Sequence, residues 1–342
     1  MSERLITVIT PFYNSSECMN KPIESMLNQT YQNWEWICVD DCSTDDTLAK
    51  LQEIAKKDSR IKVIAKDKNG GNSASSLNYG IQYCTGTHVQ LLGHDDKLSF
   101  DLLEKLVNKI DSTNADIIIP DAEIDNSAIS PDIKNFKMIG IMDEKGWDNT
   151  SINRDIILTG KEAAEYSIGW RIHAWACFST EILKNCGKVD EECNNGDEYY
   201  ARIWFLNAKK VVFSEGTYYY LRKKDSISNN FCVKYFDIFK TEEKLLKLVY
   251  KNKFKKNVIL RCKKELLNRY TYYYIKYECN KDKFSDEEQK EIKQILQYAS
   301  KLFYQYCLLS FPKECIKFFK YIMYVKVWRK LDKKLRRKGY IQ

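Results

Sequence analysis

The stretch that decides the fold is Trp34–Asp96, "WEWICVDDCSTDDTLAKLQEIAKKDSRIKVIAKDKNGGNSASSLNYGIQYCTGTHVQLLGHDD". Residues 34–41 form an aromatic and β-branched run that predicts a strand ending in two acids. Residues 44–58 have helical spacing, with Leu51 and Ile54 on one face; Ser43 or Thr44 can cap the helix, with acids in its first turn. "IKVIAK" (61–66) predicts another strand. Residues 69–84 read as a Gly-rich turn entering a helix. "HVQLLG" (88–93) is a near-continuous apolar strand that stops at His94, Asp95 and Asp96.

Outward from this core the same alternation holds. "LITVIT" (5–10) is a strand stopped by Pro11, and "IESMLNQT" (23–30) has helical spacing. A helix over 100–113 and a strand over 115–121 follow. Strands alternating with helices of this length imply right-handed crossovers, hence an α/β fold with a mostly parallel central sheet. Ligands in such sheets bind beyond the carboxyl ends of the strands. Three acidic places fall there: Asp40–Asp41, Asp67 and Asp95–Asp96. Residues 122–230 are less regular and rich in Trp, Tyr, Asn and Asp, as substrate-facing loops often are. From about 236 onward the pattern is helical.

A length of 342 residues suggests a main domain and a substantial appendage. The composition, 44% hydrophobic and 30% charged, is that of a soluble globular chain. The first residues lack the pattern of a signal peptide, and no apolar run approaches the roughly 20 residues of a membrane span. Twelve cysteines are scattered without a CxxC pair, which points to free thiols and a reducing cytoplasm.

The net charge of +8 is concentrated at one end. Residues 311–342 hold 11 Lys and Arg against Glu314 and Asp332, so the rest of the chain is close to neutral. This segment interleaves Phe318, Phe319, Ile322, Met323 and Trp328 with its cations, the pattern of a helix lying on an anionic membrane. Nucleic acid would use the same charges, but the large apolar face favours a membrane. Packing of that face into a core is the remaining alternative.

Two adjacent carboxylates at the end of a buried strand repel each other unless water or a cation lies between them. One reading of Asp95 and Asp96 is a cap on a helix starting near Leu98. The other is a hard divalent cation held by oxygen ligands, which would bridge phosphate oxygens.

"ITVITPFYN", "WICVDDCSTDDT", "NGGNSASSLNYGI", "HVQLLGHDD", "NNGDEYYARIWF" and "TYYYLRKKDSIS" occur in the order and spacing of the family 2 glycosyltransferases, which have the GT-A fold. The chain resembles that family over residues 4–230. The resemblance implies inverting transfer of a sugar from a nucleotide diphosphate, in particular a UDP-sugar, to an acceptor hydroxyl, assisted by Mn²⁺ or Mg²⁺. It divides residues 1–230 into a nucleotide-binding half, 1–121, and an acceptor-binding half, 122–230. A helical region, 231–342, follows with its basic amphipathic tail, 311–342.

The resemblance also implies roles. Pro11 and Tyr13 would enclose the nucleobase, and Asp41 would accept its imide N–H, with Asp40 shaping the turn, where an Asx-turn with Ser43 is compatible. Asn78 would lie at the donor, although the Arg commonly found before it is here Leu77. Asp95 and Asp96 would form the metal site, one coordinating the ion directly and the other binding a ribose hydroxyl or a metal-bound water, with Asp95 also counted among the donor contacts. The family's first acid is replaced by Gly93, so the metal motif is degenerate. Asp197 or Glu198 would be the catalytic base, Asp197 being favoured by the Gly-Asp variant of the motif and Glu198 by alignment of the acid pair. Both also suit a helix start. His173 and Trp175 would contact the acceptor, the alternative being core packing, and Arg222 would meet the diphosphate, the alternative being a solvated basic turn. The acceptor is expected to be a surface glycan or lipid-linked saccharide, met by an enzyme peripheral to the inner face of the membrane. The rival is a non-catalytic module, either a degenerate nucleotide-sugar binder or a basic adaptor.

Overall fold

Three of the four strands nearest the N-terminus are buried along most of their length, which is why they read as largely apolar runs, while the outer one, 61–65, is partly exposed. β1 (Ile6–Phe12), β2 (Trp34–Asp40), β3 (Ile61–Ala65) and β4 (His88–Leu91) pair in parallel in the order β3-β2-β1-β4. The protein is described here by a computed structural model covering residues 4–127, 135–142, 154–189, 191, 193, 195–222, 231–320 and 323–324.

Between these strands run α1 (Asn20–Leu27), α2 (Thr47–Lys57) and α3 (Ser73–Ile81). α2 begins at Thr47, four residues after Ser43 and three after Thr44, the two expected caps: Asp45 Oδ1 accepts the Thr47 N–H at 3.0 Å, so the preceding residues form a turn instead. α3 starts where Asn72 accepts the Ser75 N–H at 3.1 Å. α4 (Leu102–Thr113) buries Leu102, Leu103, Leu106, Val107 and Ile110, a helical stripe facing one core with Trp34, Trp36 and Phe12. Asn114, at φ 50°, ends it, its N–H reaching the Ile110 carbonyl at 2.7 Å.

The sheet continues past the short β5 (Lys97–Leu98) with β6 (Ile117–Asp125), β7 (Phe136–Met138), β8 (Cys177–Ser179) and β9 (Val211–Leu221). The full order is β3-β2-β1-β4-β8-β6-β9-β5, with β7 on β6. It is parallel across the nucleotide half and mixed beyond it, because β8 is antiparallel to both β4 and β6 while β9 runs parallel to β6. The β6–β9 register shifts between Ile119 and Asp121, which pair with Phe213 and Thr217. Pro120, without an N–H, sits opposite Ser214, Glu215 and Gly216; Gly216 has φ 88°, and a Cβ there would stand 3.0 Å from the Leu102 Cα. α5 (Gly160–Ser167), α6 (Thr180–Asn185) and α7 (Gly196–Asn207) complete this unit.

Chain contacts divide the protein into Met1–Glu192 with Gly196–Asn229, and Cys193–Asn195 with Asn230–Gln342. The second unit is helical: α8 (Ile238–Lys251), α9 (Lys256–Asn280), α10 (Asp286–Tyr306) and a helical stretch at 312–320. Phe236, Phe239, Leu246, Val249, Leu266, Ile292 and Phe303 are fully buried in it. Phe318 packs against Phe303 and Tyr270, with ring centroids 5.5 and 5.3 Å apart. Cys315 and Phe318 are therefore core residues, while Ile316, Met323 and Tyr324 are exposed. Most of the basic tail, including Ile322 and Trp328, lies outside the described residues. All twelve thiols are free. Among the described residues no helix is long and apolar enough to cross a membrane.

Candidate active site

The carboxyl ends of β1, β2 and β4 carry the expected acids and loops. After β1, Tyr13 is exposed at 44% and Asn14 takes φ 45°. The loop is pinned to the one after β2: the Asn14 N–H donates to Ser43 Oγ at 3.1 Å, Thr44 N–H to Asn14 Oδ1 at 2.8 Å, and Ser15 N–H to Thr47 Oγ1 at 2.7 Å. Pro11, at the end of β1, pairs in register with Val39. Asp40 Oδ2 accepts the Ser43 N–H at 3.1 Å, the expected Asx-turn, while its Oδ1 is buried without a partner. Asp41 is buried, and its Oδ1 accepts from Lys66 Nζ at 2.5 Å and from the Gly70 N–H at 3.0 Å. Lys66 also donates to Ser75 Oγ at 2.8 Å, so one ammonium joins the acid of β2 to the first turn of α3.

The loop after β4 sorts its two acids. Asp96 is buried, Oδ2 accepting the Tyr218 hydroxyl at 2.6 Å and Oδ1 the Leu221 N–H at 2.9 Å. The Asp95 side chain keeps 19% of its surface open and lies 4.0 Å from His94 Nε2. The two acids are therefore in unequal settings, as expected of a pair with divided roles: Asp96 is bound to β9, and Asp95 is the more open of the two. Neither caps α4, which starts at Leu102.

Two other residues expected at the site are engaged within the protein. The Asn78 amide is taken up internally: Nδ2 donates to the Val189 carbonyl and Glu191 Oε1, both at 2.8 Å, and Oδ1 accepts the Val189 N–H at 2.7 Å. It is a clamp on the segment that follows α6. His173 is 2% exposed, which leaves no face for a sugar. Its Nε2 lies 2.9 Å from the Pro120 carbonyl, and burial pushes the imidazole down to about 4, so the ring is neutral.

Trp175 stays half-buried. Its ring stacks on Tyr218 (5.6 Å, 7°) and Tyr220 (4.7 Å, 25°), with Trp170 6.1 Å away. Burial first, then the fields of Asp96, Asp95 and Asp197, hold the Tyr220 phenol above its ordinary value, against the pull of Arg222. One hydroxyl therefore senses the acid loop, the base segment and the expected diphosphate cation. Arg222 itself is exposed, with Nη1 3.4 Å from Asn126 Oδ1. Lys223 and Lys224, which adjoin it in sequence, lie outside the described residues.

Asp197 and Glu198 open α7. Glu198 is bound by Arg202, whose Nη1 donates to its carboxylate and, at 2.6 Å, to its carbonyl. Arg202 is buried, and its Nη2 donates to the Ser167 carbonyl at 2.7 Å. Asp197 is instead held by the first N–H groups of α7. Burial and then the Glu198 charge push its carboxyl up to about 6, although its exposed side chain lets water temper the rise. Lys66, Arg202, Tyr218 and Tyr220 were not singled out from sequence. The Glu198–Arg202 spacing of four and the alternation within "YYYL" (218–221) are the signals that point to three of them.

Among the described residues no three His, Cys, Asp or Glu side chains converge on a point as a self-sufficient metal site. The oxygen donor at Asp95 suits a hard ion that takes most of its ligands from phosphate and water, as Mg²⁺ does.

Residues 7–185, just over half of the chain, match the family Glycosyl transferase family 2. The chain belongs to that family. It is 42% identical over 101 residues to the putative teichuronic acid biosynthesis glycosyltransferase TuaG of Bacillus subtilis (strain 168), a match covering 30% of this chain and 40% of TuaG. It is 30% identical over 230 residues to glycosyltransferase GlyA of Streptococcus pneumoniae serotype 4 (strain ATCC BAA-334 / TIGR4), covering 65% of this chain and 31% of GlyA. The chain thus spans well under two thirds of the length of these relatives. S. aureus TarS 1–349, in a structure with UDP-GlcNAc, superposes with a TM-score of 0.61 at 18% identity, over 86% of this chain and 80% of that one. That likeness establishes the fold as GT-A.

Proposed function

We propose that the protein transfers a sugar from a nucleotide diphosphate donor, in particular a UDP-sugar, to an acceptor hydroxyl with inversion at the anomeric carbon. The observation that carries this reading is the placing of Asp41 and Asp95 on the loops beyond the carboxyl ends of β2 and β4, where open α/β sheets bind their ligands, in a chain of this family. The fields of Asp96, Asp95, Asp197 and Arg222 on the Tyr220 phenol support a charged site on that side. The structure of TarS with UDP-GlcNAc on the same fold supports the donor class.

Each residue then has a task. Tyr13, exposed beside the pinned loops after β1 and β2, offers a face to the nucleobase, and Asp41, set by Lys66 and Gly70, offers Oδ2 to its imide. Asp95 would hold Mn²⁺ or Mg²⁺, which when bound neutralises charge on the departing diphosphate. Arg222 supplies a cation on the same side. Asp197 accepts the proton of the acceptor hydroxyl as the new C–O bond forms; a carboxyl raised toward neutrality is a better base than an ordinary one. The names of TuaG and its class support an acceptor in surface-glycan or lipid-linked saccharide assembly. The basic tail would hold the protein at an anionic membrane where such acceptors lie.

The direct test incubates the full chain with UDP-sugars and Mn²⁺ and measures UDP release by slow donor hydrolysis. Release that depends on the ion and falls at least a hundredfold in Asp95→Ala is the expected result. No release and no binding of any UDP-sugar would remove the donor assignment.

A further inference from the structure

We infer that Tyr218 is the positioning residue of the acid loop, and that Gly93 occupies the family's usual acid position because this latch needs its space. The inference rests on the donor and ion site proposed above and adds a residue to it.

A tyrosine hydroxyl has one proton to give and lone pairs to receive. The Tyr218 hydroxyl gives its proton to Asp96 Oδ2 at 2.6 Å and receives the Gly93 N–H at 3.0 Å. Both ends of the turn 93–96 are thus tied to one oxygen. Asp96 Oδ1 is tied to the backbone of the same strand through the Leu221 N–H at 2.9 Å. The pairing Leu98↔Tyr218 fixes the far side of the loop to β9 as well. The bond from a phenol to a buried carboxylate is charge-assisted, among the stronger hydrogen bonds available.

Gly93 is explained by distance rather than by backbone conformation. A Cβ there would lie 2.3 Å from Asp96 Oδ2 and 3.0 Å from its Cγ. Any side chain at 93, including the aspartate expected from the family, would push Asp96 off the tyrosine. The degenerate motif is therefore a different way to hold the loop: one acid surrendered, a second used as an anchor, and the third, Asp95, set at the surface. Because the Tyr218 ring stacks on Trp175, the latch also joins the ion site to the aromatic column of the acceptor half. Tyr218 is 2% exposed and touches no substrate.

The test is calorimetric titration of the full chain with UDP, in Mn²⁺ and in EDTA. Tyr218→Phe keeps the ring and its stacking and deletes the hydroxyl. Expected is a loss of at least tenfold in Mn²⁺-dependent UDP affinity with UDP affinity in EDTA unchanged. Gly93→Ala, which leaves Tyr218 in place, should give the same split, and decides the matter if Tyr218→Phe does not fold. Wild-type Mn²⁺-dependent affinity in the folded variants, whatever their melting temperature, overturns the inference and leaves the donor site standing. A wild-type protein with no Mn²⁺-dependent UDP binding overturns the ion site itself, and the latch with it.

Discussion

Arg202 donates to both the carboxylate and the carbonyl of Glu198, one turn before it on α7. With this bond Glu198 serves as the counter-charge of a buried guanidinium, and the proposed base is its neighbour Asp197. Asp197→Asn should lower sugar transfer by about 10²–10⁴-fold, the usual worth of a general base, with donor affinity kept. Glu198→Gln should act on stability, costing about 3 kcal/mol as a broken buried pair does. Kinetics and thermal melts on the two variants read the difference. Full activity in Asp197→Asn with loss in Glu198→Gln would exchange the roles.

The rate should follow the ionisation of Asp197. Its carboxyl is raised to about 6, so kcat/KM is expected to climb as pH rises through that region and to level off above it. The same shift acts oppositely on folding: stability from the protonated acid is full below the ordinary carboxylate value and is lost as pH rises through about 6. A pH–rate profile with no inflection between pH 5 and 7 in the wild type would contradict this.

His173 makes the protein acid-sensitive. Its folded pKa, near 4, lies below the ordinary 6.5, so the stability it confers is full above about 6.5 and is lost as pH falls toward 4. Between pH 7 and 5 this amounts to about 2 kcal/mol. Denaturant unfolding should show that loss in the wild type and a smaller one in His173→Gln, which cannot take up the proton. Equal pH dependence in both would place the imidazole in water.

Asn78→Asp should leave UDP affinity unchanged, because the amide faces Val189 and Glu191. Both amide donors would be replaced by an acceptor facing other acceptors, costing about 1–3 kcal/mol. A fall in UDP affinity with an unchanged melting temperature would return Asn78 to the donor site.

Membrane binding is best tested by removing residues 325–342. A cut at 312 would take Cys315 and Phe318 out of the core along with the charges. The shorter truncation should lose salt-sensitive binding to phosphatidylglycerol vesicles by at least tenfold, with a thermal melt run alongside to check that the fold is kept. Undiminished binding would reject the tail as the anchor.

The nucleotide half was legible because most of its strands are buried parallel runs, and burial on both faces leaves a largely apolar signature, as in "WEWICVD", where only Glu35 and the terminal Asp40 are charged. Asp40 with Ser43 was legible for a similar reason, an Asx-turn being a local event. What escaped was set by partners far along the chain. Nothing near Asp96 announces Tyr218, 122 residues on. Asn78 looks like a donor contact until Val189 comes to meet it. For His173 the sequence left an acceptor contact and a core position both open, and the Pro120 carbonyl, far off in the chain, is what its buried ring meets.

That shift has a consequence for how the chain tolerates changes in length. Three residues of β9 face one of β6, a surplus of two, and two is even. Tyr218 and Tyr220 therefore turn toward Trp175, and Tyr219, under the Lys97 ammonium, turns away. Deleting one residue from Ser214–Gly216 would invert that parity, presenting Tyr219 to Asp96 and sending the two working phenols to the wrong side. A relative that lost or gained a pair there could keep its chemistry, whereas an odd change would have to be matched elsewhere in the strand.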